Sequence, residues 1–279
     1  MNRSGAKQQL PLLPLLFGAL AIGAGLLGRL VLDQGQVIAP SGTTGMLLWI
    51  LAPALLGFVF RRRDAATRRP AQGGYFAWHG RSASAAAVAA LAAVLAVGLV
   101  IAIGLAWGSL MLRPKPLALA QLLPSALGIA LFAFLEESGW RGYLMPSLLA
   151  RTSYLRVLLL GALIWFAWHL PYLDLLTAAY SSESLRTLAP RLLLGVLAMQ
   201  WLYIELFLRW PSIWPAFALH ASMNISAQLA LAGGLALSGP QAWLFSPSAD
   251  GLLVMALCTA IGGGLYRARM RNAKVACPE

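Results

Sequence analysis

Charge is scarce in this chain. Of its 279 residues only 11% are Asp, Glu, Lys or Arg, and just 9 are acidic. A water-soluble domain of this length would need far more, so that class is excluded. Cysteine is nearly absent as well. Cys258 lies in an apolar run and Cys277 in the tail, without CxxC spacing, which leaves no disulfide framework and no thiolate metal or redox motif. The period-2 alternation of a membrane barrel is missing. No internal repeat marks the two halves as those of an inverted-repeat carrier.

Long hydrocarbon runs are what the chain has instead. Hydrophobic residues make up 59% of it, with a mean hydropathy of +0.73, and several runs reach the roughly 18–20 residues that span a bilayer. The expected fold is all-α: a polytopic membrane protein of about eight transmembrane helices, near 11–32, 44–60, 84–112, 117–146, 155–173, 188–208, 211–232 and 251–267. The first run exceeds the roughly 7–15-residue core of a signal peptide and reads as an uncleaved span. Pro124 is placed to kink the fourth. With no loop long enough for a soluble unit, residues 1–279 form a single integral membrane domain.

The net charge of +12 is distributed as topology, in clusters such as RRRDAATRR at 61–69 and RARMRNAK at 267–274. Basic clusters beside spans orient them and touch lipid headgroups. The aromatic-basic interleaving of a nucleic-acid surface is missing, so no nucleic-acid partner is expected. Arg3, Lys7, the 61–83 arginines, Arg151, Arg156, Arg209 and the basic tail share one side, against Arg113, Lys115 and Arg186 on the other. The positive-inside rule makes both termini cytoplasmic. The expected location is a bacterial inner membrane.

Against this background a few polar residues stand out. Glu136 and Glu137 interrupt the run LGIALFAFLEESGWRGYLM, His169 closes LIWFAWH, and His220 and Asn224 sit in WPAFALHASMN. A carboxylate in hydrocarbon costs roughly 2.5–3.5 kcal/mol on insertion scales, so such residues mark function by default. Residues four apart share a helix face while neighbours diverge by about 100°. Glu137 therefore suits an ion pair with Arg141, leaving Glu136 to meet partners from other helices. His220 and Asn224 share a face. At 1.5 Å per residue, Glu136 lies roughly 15 Å from Pro146, His169 roughly 20 Å from Arg156 and His220 roughly 16 Å from Arg209. Three spans thus bring acid, imidazole and amide to one depth, reached from the cytoplasmic side or laterally. Gly139 and Gly142 allow close helix approach beside the acids, and Trp140 is placed to wall the cavity. Glu205 is expected to pair locally with Arg209, and His79 to be solvated in its loop.

EESGWR at 136–141 resembles the EExxxR motif of the CPBP family of intramembrane proteases (the CAAX protease and Abi family). HASMN at 220–224 resembles its HxxxN motif, and LIWFAWHL at 163–170 its FxxxH motif, with Trp165 at the position of the phenylalanine. The resemblance covers about residues 120–235. It implies an intramembrane endopeptidase acting on a membrane-associated peptide or protein, prenylated or bacteriocin-like, within the lipid bilayer. Carried across by motif, Glu136 and His169 activate a water, His220 and Asn224 bind the oxyanion, and Glu137 and Arg141 support them. Zinc on His169, His220 and Glu136 stays open, since two imidazoles and a carboxylate form a catalytic zinc set, although no HExxH helix is present. The rival readings are a proton-coupled small-solute transporter and a non-catalytic immunity or scaffold protein of the same fold.

Overall fold

A computed structural model describes residues 11–34, 42–67, 74–78, 80–115, 119–178, 181, 183–239 and 241–276. His79 and Cys277 lie outside the described residues, as do Arg3, Lys7, Arg68 and Arg69. Eight long helices make up the bundle among those described. They are α1 (Leu12–Leu32), α2 (Thr44–Arg63), α3 (Gly80–Ala106), α4 (Leu119–Gly139, continued through Trp140–Leu144 and Met145–Leu149), α5 (Tyr154–His169, continued to Ala178), α6 (Leu185–Arg209), α7 (Trp214–Ala232) and α8 (Leu252–Ala276). The first six are long and apolar enough to cross a membrane. The all-α expectation holds, and the protein is an integral membrane protein. α7 and α8 pack into the same bundle, against α3 and α6 respectively, but their polar residues keep them below that composition.

The outward faces are hydrocarbon. On α4, Leu123, Leu127 and Leu131 recur every fourth residue and are each about 60% exposed, whereas Glu136 and Glu137 are at most 1% exposed. In lipid that arrangement is the stable one, because acyl chains solvate leucine and the bundle interior must solvate the carboxylates.

The third span is shorter than expected. α3 stops at Ala106, a turn with Gly108 at φ +74° reverses the chain, and β1 (Leu110–Leu112) pairs antiparallel with β2 (Leu235–Leu237), Leu110 facing Leu237. Gly234, at φ +103°, lets this ribbon close: a Cβ there would run into the Arg113 carbonyl. Gly139 fulfils the role expected of it, since a Cβ there would come 2.5 Å from the Pro53 carbonyl oxygen where α2 crosses α4.

Polar clusters fasten both ends of the bundle. At the arginine-rich end, Asp64 Oδ2 accepts from Tyr143 (3.1 Å) and Ser147 (2.8 Å), and Oδ1 pairs with Arg151 at 2.6 Å. The local Glu205–Arg209 pair is not formed. Glu205 is buried toward α8 and takes two bonds of 2.9 Å from Arg269 and one of 2.7 Å from Tyr154, while Arg209 lies over the Trp210 ring. A residue facing across the interface finds an arginine there before its own helix neighbour.

At the other end Asp33 ties α1, α2 and α5 together. Its Oδ2 accepts from Thr43 (2.6 Å) and Tyr172 (2.7 Å), and Oδ1 from the Gly45 N–H (3.1 Å). Burial alone would raise this carboxyl, but the three hydrogen bonds outweigh it and hold Asp33 below the usual carboxylate value. A lowered value means that the ionised form stabilises the fold at neutral pH and that this contribution fades as pH falls through the carboxylate range. Asp33→Asn should therefore lower the melting temperature in detergent at pH ~7 and leave less acid dependence below pH ~4. Parallel melting-versus-pH curves for variant and wild type would refute the assignment.

Candidate active site

The α4 helix changes pitch at the acid pair. Regular α-helix ends at Gly139 and a π turn spans Trp140–Leu144, a distortion often found at functional positions. Glu136 Oε2 accepts from Trp140 Nε1 at 3.1 Å and from Trp165 Nε1 at 2.7 Å, and its Oε1 stands 3.8 Å from His220 Nε2. Glu137 points elsewhere, as the 100° step requires. Its Oε1 pairs with Arg141 at 3.0 Å, the expected contact, and with His220 Nδ1 at 2.9 Å. Arg141 is fully buried. It donates to Gln200 Oε1 at 3.3 Å and lies over the Tyr203 and Trp165 rings, 3.8 and 4.7 Å from their centres.

His169 and His220 are each oriented by their Nδ1 atoms. His169 Nδ1 is 2.8 Å from the Trp165 carbonyl, which only accepts, so Nδ1 carries the proton and Nε2 keeps a lone pair. His220 Nδ1 donates to the Glu137 carboxylate, which leaves Nε2 turned to Glu136. The Trp165 ring stands between them, 5.9 Å from the His169 ring and 5.8 Å from that of His220. His220 thus lies between two carboxylates, Glu137 at Nδ1 and Glu136 toward Nε2.

These groups floor a cavity of ≈ 530 Å³ lined by Glu136, Trp165, His169, His220 and Asn224. The four expected catalytic residues are thus brought to one space. Trp140 does not wall it; that residue backs Glu136 from behind, in the small gap it lines with Arg141 and Gln200. From the floor the cavity runs past Phe132 of α4 along the C-terminal parts of α5 and α7 and the N-terminal half of α6, to Lys115, Thr177, Ala232 and Ser248. The expected routes are the cytoplasmic side, which the charge reading puts at the arginine-rich end, or a lateral one; the lining leads away from the arginine-rich end. There the described residues Trp140, Arg141 and Tyr203 are buried and close the site.

The zinc set does not assemble. Among the described residues no three His, Cys, Asp or Glu side chains gather as metal ligands, and Glu136 Oε2 is already held by two indole N–H groups. The residues present do not fit a catalytic zinc, and no step is derived through one.

With this geometry the comparison with known families is specific. Residues 118–226 match the family described as type II CAAX prenyl endopeptidase, Rce1-like. The resemblance read from EESGWR, LIWFAWHL and HASMN therefore holds. The match supports, at family level and for this segment, a CAAX-type intramembrane endopeptidase, a hydrolase family that implies a membrane-associated protein substrate. All six expected site residues fall within the match. Comparison with curated proteins gives no match.

Three contributors were missed from sequence: Gln200, Tyr203 and the Trp165 indole. Gln200 carried a signal, as a lone amide in the apolar run LLLGVLAMQWLYIELF. Trp165 stands where the motif has phenylalanine, and its N–H makes the shorter of the two bonds to Glu136. Trp165→Phe keeps the aromatic packing and removes that donor. A hydrogen bond to a charged group is worth about 1.5–3 kcal/mol, so kcat should fall at least tenfold with KM little changed. Unaltered kcat on a natural substrate would show that Trp165 only packs.

Proposed function

We propose that this protein is an intramembrane endopeptidase in which Glu136 and His169 activate a water while His220 and Asn224 stabilise the oxyanion, without a metal. The whole chain acts as one membrane domain with its catalytic core at about 120–235. The observation that carries this reading is the facing pair Glu136 Oε1 and His220 Nε2, 3.8 Å apart on the floor of a cavity that His169 and Asn224 also line.

The chemistry follows from the donors and acceptors. Glu136 Oε1 is the carboxylate oxygen turned away from the indole donors, and the His169 Nε2 lone pair faces the same cavity. A water there gives up a proton to this pair and its oxygen attacks the scissile carbonyl carbon. The oxyanion accepts from protonated His220 Nε2 and from the Asn224 amide. Collapse breaks the C–N bond as the proton passes to the leaving amine, so one water yields a new carboxyl and a new amino terminus. Donors in a dry cavity stabilise such an oxyanion far more than they would in water. Glu137 accepts from His220 Nδ1 and so orients the ring with Nε2 toward the cavity, and Arg141 holds the Glu137 carboxylate in place.

The test is comparative peptidomics of membranes from cells with wild-type protein or Glu136→Gln. New termini should appear only with wild type; identical profiles, with both proteins present at equal level, would sink the proposal.

A further inference from the structure

We infer that the substrate enters from the non-cytoplasmic face, so that the natural substrate is a hydrophobic, membrane-anchored stretch of an exported peptide or protein rather than a tail presented in the cytoplasm. The inference builds on the proteolytic reading above. It rests on two independent observations, the direction of the cavity and the distribution of charge.

The direction is set by three helices, α5 and α7 running one way and α6 the other. From His169 the lining continues to Thr177 on α5, and from Asn224 to Ala232 on α7, in each case about 12 Å further along the axis. On α6 it runs the opposite way in sequence, to Leu192, while Lys115, whose N–H donates to the Gly233 carbonyl at 3.1 Å, sits beyond the end of α7. All three paths lead to the same end, where Lys115 and Ser248 complete the rim. Toward the other end the described residues close the site with Arg141 and Tyr203, and the Asp64–Arg151 and Glu205–Arg269 pairs fasten the helices beyond.

The charge marks which end is which. The closed end carries Arg61, Arg62, Arg63, Arg151, Arg156, Arg209, Arg267, Arg269 and Arg271. The open end carries Arg113, Lys115 and Arg186, while Arg29 and Arg191 there are matched by Asp174, Glu183 and Asp250 at 2.6–3.1 Å. The excess of bases belongs on the cytoplasmic side. The mouth accordingly opens on the opposite leaflet. Its walls are apolar, with Phe132, Leu192, Val196 and Leu231 above the polar floor, which suits a hydrophobic segment of peptide.

Single cysteines test this in the full chain carrying Cys258→Ala and Cys277→Ala, expressed in bacterial spheroplasts. A small, charged, membrane-impermeant methanethiosulfonate should modify Ser248→Cys and Val196→Cys in intact spheroplasts, and Arg63→Cys only after lysis. Coupling a polyethylene-glycol maleimide to Ser248→Cys should cut cleavage of a peptidomics-derived substrate at least tenfold relative to the same variant before coupling. The same coupling at Arg63→Cys should not. Reversed labelling with cleavage intact would overturn the entry side and leave proteolysis standing. Labelling as expected, with no cleavage by any active form, would instead sink proteolysis and with it the substrate class. Ser248 lies in a loop, so its labelling decides the entry side even if Val196→Cys fails to fold.

Discussion

Glu136→Gln is expected to abolish cleavage, by a factor of about 10²–10⁴ for the loss of a positioned base, while leaving the protein folded. The two effects separate because the side chain has two jobs. Its structural job is to accept the Trp140 and Trp165 indole N–H groups, and the amide oxygen of glutamine accepts both. Its chemical job is to take a proton from water, which an amide cannot do. Side-chain volume is conserved, so the bundle has no cavity to collapse into. The expected measurement is a melting curve in detergent close to wild type beside loss of turnover on a substrate found by peptidomics. His169→Ala and His220→Ala should fall in the same direction. Wild-type turnover in Glu136→Gln would remove that carboxylate from the reaction.

The parts of this site legible in the sequence were those set by helical spacing. Glu137 and Arg141 are four apart and do pair at 3.0 Å; Glu136, one step round, does meet other helices. The depth estimate from three spans likewise placed Glu136, His169 and His220 together, because rise per residue is the same in every helix. What depended on packing between helices was not legible. Glu205 chose Arg269 on α8 over Arg209 on its own helix, a choice made by which face α8 covers. The bond from Glu137 to His220 also crosses helices. The side on which the cavity opens follows from where Trp140, Arg141 and Tyr203 pack, which no spacing states. The substitution of tryptophan for phenylalanine at 165 looked like a packing detail, yet it supplies a hydrogen-bond donor to Glu136.

Glu137→Ala should be the most destabilising single change in the site. Glu137 and Arg141 are both fully buried, and their ion pair is the guanidinium's contact with an opposite charge among the described residues. Removing one member of a buried pair typically costs about 3–5 kcal/mol, because the other is left charged and uncompensated. The same change also frees His220 Nδ1, so activity falls for a second reason. The two losses come apart in Glu137→Ala combined with Arg141→Met. Removing both charges relieves the stranded guanidinium, and stability should recover most of what the single variant loses. Cleavage should not recover, since nothing then orients the His220 ring. Melting temperatures and turnover of wild type, single and double variants decide it. A single variant that melts like wild type would refute the ion-pair role, and a double variant that cleaves normally would show that Glu137 does not position His220.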